Sequence, residues 1–166
     1  MYFMLSWIPT LFVDSGYTRV QGIEALTGFN LGAIPGILVL AALTTRLPLV
    51  PLLALFFLGA GAVLAFVGLT QPQELGALMR LMFAGGFFLH GGFTCLYALA
   101  TRVYPSDIRA AGVGWAAGLG RTGAIASPLL AAALLSAGWG MYALFSLFAI
   151  PLALGGLLLW VFVQDD

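Results

Sequence analysis

An all-α, polytopic membrane bundle of six helices is the fold class that three properties of the sequence predict. Hydrophobic residues make up 62% of the 166 and charged residues 7%, with a mean hydropathy of +1.09, whereas about a quarter of the residues of soluble domains are charged. The apolar residues fall into successive runs near the roughly 20 residues that a bilayer-spanning helix requires. Clusters of Gly, Pro and charge separate the runs.

The first segment, Tyr2 to Val13, ends at Asp14, Ser15 and Gly16. At about 1.5 Å per residue it falls well short of a ~30 Å hydrocarbon core, so it reads as a helix entered part way along. Its opening MYFMLSWIPTLFV lacks the basic start and small-residue cleavage site of a signal peptide. The second segment runs from Ala25 to Leu43 and is broken by TTRLP at Thr44 to Pro48. The third covers Leu49 to Leu69 and stops at TQPQE, Thr70 to Glu74. The fourth spans Leu75 to Ala100 and leads into a polar link, TRVYPSDIR, at Thr101 to Arg109. The fifth extends from Ile108 to Leu135, and the sixth from Trp139 to Val163 before Gln164, Asp165 and Asp166.

If the helices alternate, the second and fourth links carry Arg46, Arg102 and Arg109, against Arg19 alone in the opposite links. The positive-inside rule then places both chain ends in the cytoplasm. Segments two and five also resemble each other: Gly32, Ala33 and Ile34 are followed by Pro35, and Gly123, Ala124 and Ile125 by Pro128. On that alignment Asn30 falls opposite Arg121, and segments one to three and four to six become two three-helix repeats, a common build among secondary transporters.

Several function classes are disfavoured. The chain has no lysine, and six arginines balance six acids, so no basic patch exists to attract nucleic acid. Cys95 is the one cysteine and reads as packing. No G-x-S-x-G, no H-E-x-x-H and no carboxylate pair at membrane depth is present, so neither a nucleophile nor a metal cage can be assembled and no cofactor is expected. Ser127 beside Pro128 reads as a helix feature.

Arg121 is the residue that most needs a reason. It lies near the middle of the fifth segment, where an arginine is about 2.5 to 3.5 kcal/mol uphill on translocon scales, and such residues face a bundle interior or a watery cavity. Its planar fork suits a carboxylate, and it keeps its charge at any reachable pH. Gly114 and Gly118 form a G-x-x-x-G pair, and Gly120 and Gly123 add two further positions without side chains. Helical spacing brings Gly114, Gly118 and Arg121 into one sector, which reads as helix packing beside a charged face. His90, the only histidine, is the best titratable candidate for proton exchange; the other reading is a helix histidine bonded to a neighbour. Tyr97 shares its face by spacing. Trp115 either lines the path or packs beside it, and Asn30 joins the substrate-binding candidates as the counterpart of Arg121. In the fourth link Asp107 stands beside Arg109, and with Arg102 they form a candidate gate, a salt bridge made in one state of a rocking bundle and broken in the other. Arg109 as a simple topology anchor is the alternative.

The stretch YPSDIRAAGVGWAAGLGRTGAIASP, Tyr104 to Pro128, resembles the junction of the tenth and eleventh helices of major facilitator superfamily transporters. It is most similar to the aromatic acid:proton symporter branch, which has a Y-P-x-x-I-R-A-x-G-x-G-W turn leading into G-x-G-R-x-G-A-I and a later proline. WIPTLFVDSG resembles the end of the seventh helix. The resemblance implies that residues 1–166 are the C-terminal six-helix half of a twelve-helix fold in the cell (inner) membrane, with an N-terminal partner half lying elsewhere. It implies uptake of a small aromatic carboxylate together with protons by alternating access, and a transport role for Arg109 and Arg121. The short TTRLP link departs from the longer basic run of relatives. Two other classes remain at this stage: a truncated membrane fragment or assembly partner that transports nothing, and a membrane-embedded enzyme.

Overall fold

A computed structural model describes residues 1–164, and its six helices are α1 (Tyr2–Asp14), α2 (Arg19–Leu43), α3 (Leu49–Thr70), α4 (Leu75–Val103), α5 (Arg109–Ser136) and α6 (Met141–Gln164). Asp165 and Asp166, expected to close the sixth segment, lie outside the described residues. Helices α2 to α6 are long and apolar enough to cross a membrane, while the 13 residues of α1 reach only about 20 Å.

Three boundaries differ from the sequence expectation. Helix α2 begins at Arg19 because Thr18 caps it: the Thr18 hydroxyl accepts from the Gln21 amide while the Gln21 side chain accepts from the Thr18 amide, a capping box that satisfies two otherwise orphaned donors. Helix α4 continues to Val103, so Thr101 and Arg102 belong to the helix and the link shrinks to Tyr104–Ile108. Helix α6 starts only at Met141, because Gly138 at φ +87° turns the chain through a conformation that favours glycine and leaves Trp139 in the link.

One end of the bundle is tied by hydrogen bonds between links. The Tyr17 hydroxyl donates to the Gln73 carbonyl (3.1 Å), and the Tyr142 hydroxyl to the Pro72 carbonyl (3.0 Å). The first link, the third link and the start of α6 therefore share a face, as alternating helices require. The packed helix pairs also exchange with one another when the first three and last three helices are swapped: α2·α4 with α1·α5, α1·α2 with α4·α5, and α3·α4 with α1·α6, while α3·α6 maps onto itself. Three helices per unit reverse the direction of the second unit, which makes the two repeats inverted relative to the bilayer.

Small residues set the closest approaches. A Cβ at Gly32 would collide with the Phe83 carbonyl, one at Gly36 with the Phe87 carbonyl and one at Gly86 with the Phe29 carbonyl, which fixes α2 directly against α4. Gly61 and Gly68 play the same part between α3 and α6, where their Cβ positions face the Ala149 carbonyl (3.3 Å) and the Tyr142 carbonyl (2.7 Å). The four glycines assigned to packing from sequence do none of this: Gly114, Gly118, Gly120 and Gly123 have nothing within 4 Å of a built Cβ. Their helix, α5, buries only Ala131 and leaves Trp115, Ile125 and Leu129 about two-thirds exposed or more. The G-x-x-x-G spacing is present in both α2 and α5, and only in α2 does a neighbouring helix occupy it.

These contacts predict opposite outcomes for two similar substitutions. Gly36→Val should destabilise the bundle by about 1–3 kcal/mol or more, because the added volume meets backbone, whereas Gly118→Ala should leave stability within about 0.5 kcal/mol. Thermal unfolding of the purified protein in detergent measures both, and equal melting temperatures for the two variants would refute this packing account.

Candidate functional site: a cavity carrying Arg121

A cavity of about 730 Å³ lies between α4, α5 and α6 and reaches the first turn of α1. Its walls are mainly apolar and aromatic, including Phe3, Phe57, Phe93 and Phe148. Arg121 is the only charged side chain among the lining residues, and the hydroxyl-bearing ones are Tyr2, Tyr97, Tyr104 and Ser127. The size and the few polar groups on an apolar wall match small-molecule sites, which span about 300–1,000 Å³.

Helix α5 contributes the charged wall. Val113, Ala117, Gly120, Ala124 and Ser127 line the cavity with Arg121, a row at three- and four-residue spacing that shares one helical face. Gly114 and Gly118 instead line a separate shallow concavity with Trp115 and Leu119. The single sector expected from sequence is therefore split. Arg121 stands at the border of two faces, and its long side chain belongs to the cavity while the G-x-x-x-G pair does not. Trp115, 72% exposed, likewise faces away from the cavity.

Among the described residues the only ion pair joins Arg80 to Glu74 at 3.7 Å, so Arg121 has no acidic partner there. Arg121 is itself exposed, and an unpaired guanidinium on this apolar wall offers its fork to an anion.

On the opposite wall, Tyr97 packs edge-on against Phe93 with ring centroids 6.0 Å apart, and its hydroxyl makes no hydrogen bond among the described residues. His90 is two turns away on the same helix and does not line the cavity. Its ring lies 5.0 Å from that of Phe29 on α2, and its Nδ1 is 3.3 Å from the Gly86 carbonyl. A nitrogen facing a carbonyl must carry the proton in the neutral ring, which leaves Nε2 as the open acceptor. Tyr97 lines the cavity and His90, packed against Phe29, does not. Asn30 donates from Nδ2 to the Leu26 carbonyl at 2.9 Å on the exposed side of α2, and it too is separate from the cavity.

The link after α4 holds its polar groups within the turn. Arg109 Nε donates to the Tyr104 carbonyl at 3.3 Å, and the Asp107 carboxylate accepts from the Ser106 hydroxyl at 3.1 Å. Asp107 and Arg109 form no salt bridge in this arrangement, and each is hydrogen-bonded within the turn. The Tyr104 ring lies over Gly112, where a Cβ would come within 2.5 Å of it, so the turn folds back on the start of α5 and sets Tyr104 in the cavity wall. Tyr104, Phe93 and Ser127 were missed as site residues from sequence. The spacing of Phe93 four residues before Tyr97 was the available signal.

The whole chain, residues 1–166, matches the model of the Major Facilitator Superfamily. It is 33% identical over 164 residues to the 3-(3-hydroxy-phenyl)propionate transporter of Escherichia coli (strain K12), covering 99% of this chain and 40% of that protein. It is 33% identical to the gallate transporter of Pseudomonas putida, covering 91% of this chain and 33% of that protein. To the 4-hydroxybenzoate transporter PcaK of Pseudomonas aeruginosa it is 32% identical, covering 93% of this chain and 34% of that protein. No solved structure matches the chain. The chain thus spans 40% or less of the length of these curated relatives, each of which is a transporter and not an enzyme. With five helices able to cross a bilayer, it is a multi-pass protein of the inner membrane, and it belongs to the major facilitator superfamily.

Proposed function

We propose that the chain is the C-terminal half of a proton-coupled importer of small aromatic carboxylates, working by alternating access. The observation that carries this reading is the unpaired Arg121 in an otherwise apolar, aromatic-walled cavity. An aromatic acid has the matching parts: a carboxylate for the guanidinium fork and a ring for the Phe93, Tyr97 and Phe148 walls. The names of the three relatives share that chemistry.

In this reading the carboxylate pairs with Arg121 near the bilayer midplane, where transporter sites of this architecture lie at a repeat interface. The open faces of α2 and α5, with Asn30 on one and Gly114, Trp115 and Gly118 on the other, receive the N-terminal half, whose rocking exposes the cavity to each side in turn. Arg109, Asp107 and Arg102 sit at the mouth and change partners as the link moves. His90, with Nε2 free, carries the coupling proton on α4. Both termini lie in the cytoplasm, so that the Arg46, Arg102 and Arg109 ends of the helices face inward.

Uptake of labelled 4-hydroxybenzoate by cells expressing the intact transporter tests the anion site. Arg121→Ala should reduce uptake roughly 10- to 100-fold at unchanged expression, the loss expected for a hydrogen bond to a charged group, and Arg121→Lys should restore only part of it. Uptake unaffected by Arg121→Ala rules the reading out. For the proton path, His90→Gln should flatten the rise in uptake as pH falls from about 8 to 5; an unaltered pH profile removes His90 from it.

A further inference from the structure

The cavity has a second polar anchor opposite in character to Arg121, and it is built by a proline. Pro128 lies inside α5 and has no amide hydrogen, so the carbonyl four residues earlier, that of Ala124, lacks its helical partner. Ala124 lines the cavity, and so does Ser127, one residue before the proline. Elsewhere in the helices hydroxyl side chains commonly bond back to their own backbone, as Thr122 does to the Leu119 carbonyl (2.6 Å) and Ser136 to the Ala133 carbonyl (2.7 Å). Ser127 makes no such bond among the described residues, although the Ala124 carbonyl is three residues behind it. An unused acceptor and an unused hydroxyl therefore sit side by side on the wall that carries Arg121, about one to two helical turns further along.

An unsatisfied carbonyl in hydrocarbon is costly, and the group that satisfies it must donate a proton. A carboxylate cannot, because it only accepts. A ring hydroxyl can. We propose that the Ala124 carbonyl and the Ser127 hydroxyl recognise a hydroxyl on the aromatic ring of the substrate, which makes Ser127 and Pro128 specificity-determining residues for hydroxylated over unsubstituted aromatic acids. The carboxylate is held at Arg121 and the ring spans the distance along α5, so the two anchors together measure where on the ring the hydroxyl stands. This inference rests on the reading of Arg121 as the carboxylate site.

Equilibrium binding of benzoate and of 3- and 4-hydroxybenzoate to the purified intact transporter in detergent, followed by isothermal titration calorimetry, separates the two claims. The unaltered protein should bind one hydroxybenzoate about five- to tenfold more tightly than benzoate, the range of one or two net hydrogen bonds. Pro128→Ala restores the amide that the Ala124 carbonyl lacks, and it should bring the hydroxybenzoate down to the benzoate affinity while benzoate binding stays unchanged. Ser127→Ala should remove part of the preference. A preference that survives both variants overturns the proposal and leaves the Arg121 site standing. Benzoate binding that survives Arg121→Ala, or no binding of any of the acids to the unaltered protein, overturns the carboxylate site and the proposal with it. Circular dichroism on Pro128→Ala guards against a folding defect, and if that variant is misfolded the Ser127→Ala comparison decides alone.

Discussion

Lipid gives apolar helices no hydrophobic reason to associate, so a membrane bundle depends on how closely its backbones approach and on what polar groups are left to satisfy. In this chain the close approaches are concentrated at Gly32, Gly36 and Gly86 between α2 and α4, and at Gly61 and Gly68 between α3 and α6. Those two contacts join the first three helices to the last three, so the interleaving of the repeats is itself the main brace. Helix α1 is held by its buried apolar face and by Gly22 against Pro9, whereas α5 lacks such a brace and keeps its faces open. The cavity is a consequence: α5 stands off from α6 and meets α1 and α4 over short stretches, and the space between is where Arg121 faces aromatic side chains rather than a neighbouring backbone.

Loose attachment of the charged helix has a functional meaning. The alternating-access reading proposed above calls for a rigid frame and an element free to change its neighbours, and the distribution of glycine contacts is compatible with that division. The tyrosine hydrogen bonds at Pro72 and Gln73 tie the links at one end of the frame. At the other end, the turn at Tyr104–Ile108 is closed by Arg109 on the Tyr104 carbonyl and by Tyr104 on Gly112, contacts local to the turn. A local turn can move with α5 as a unit without breaking the frame.

Much of the architecture was legible in the sequence because hydropathy and span length are local properties. All six segments appear as helices, and the two-repeat build, read from Gly-Ala-Ile in segments two and five, agrees with the exchange of helix pairs. Helix ends were less legible where a side chain decided them: the Thr18–Gln21 capping box extends α2 by six residues beyond Ala25, and hydropathy does not register a cap. The site was partly legible. Arg121 stood out because charge at membrane depth is rare, and Tyr97 followed from spacing on α4. The α5 glycines meet no helix of this chain, because a G-x-x-x-G pattern states that a backbone can approach and not which one does. His90 and Tyr97 were joined by a seven-residue spacing, but only Tyr97 lines the cavity, while Phe29 of α2 packs on the His90 ring, a neighbour that spacing along one helix does not register.

The same reasoning separates what the two prolines of the repeat do. Pro35 and Pro128 occupy related places in α2 and α5, and each leaves a carbonyl without an amide partner, at Leu31 and at Ala124. In α2 the glycines around Pro35 are pressed against α4, with Gly36 meeting Phe87 and a Cβ at Gly91 falling 2.9 Å from the Gly36 carbonyl, so the proline sits beside a packed seam. In α5 no helix covers the corresponding positions, and the wall next to Pro128 belongs to the cavity instead. On the alignment of Gly32 with Gly123, Pro128 falls two residues further along its helix than Pro35, so the two freed carbonyls lie on different sides of their helices. A two-residue offset turns the proline by about 200° around the helix, and that position together with the sparse packing of α5 puts the wall next to Pro128 on the cavity.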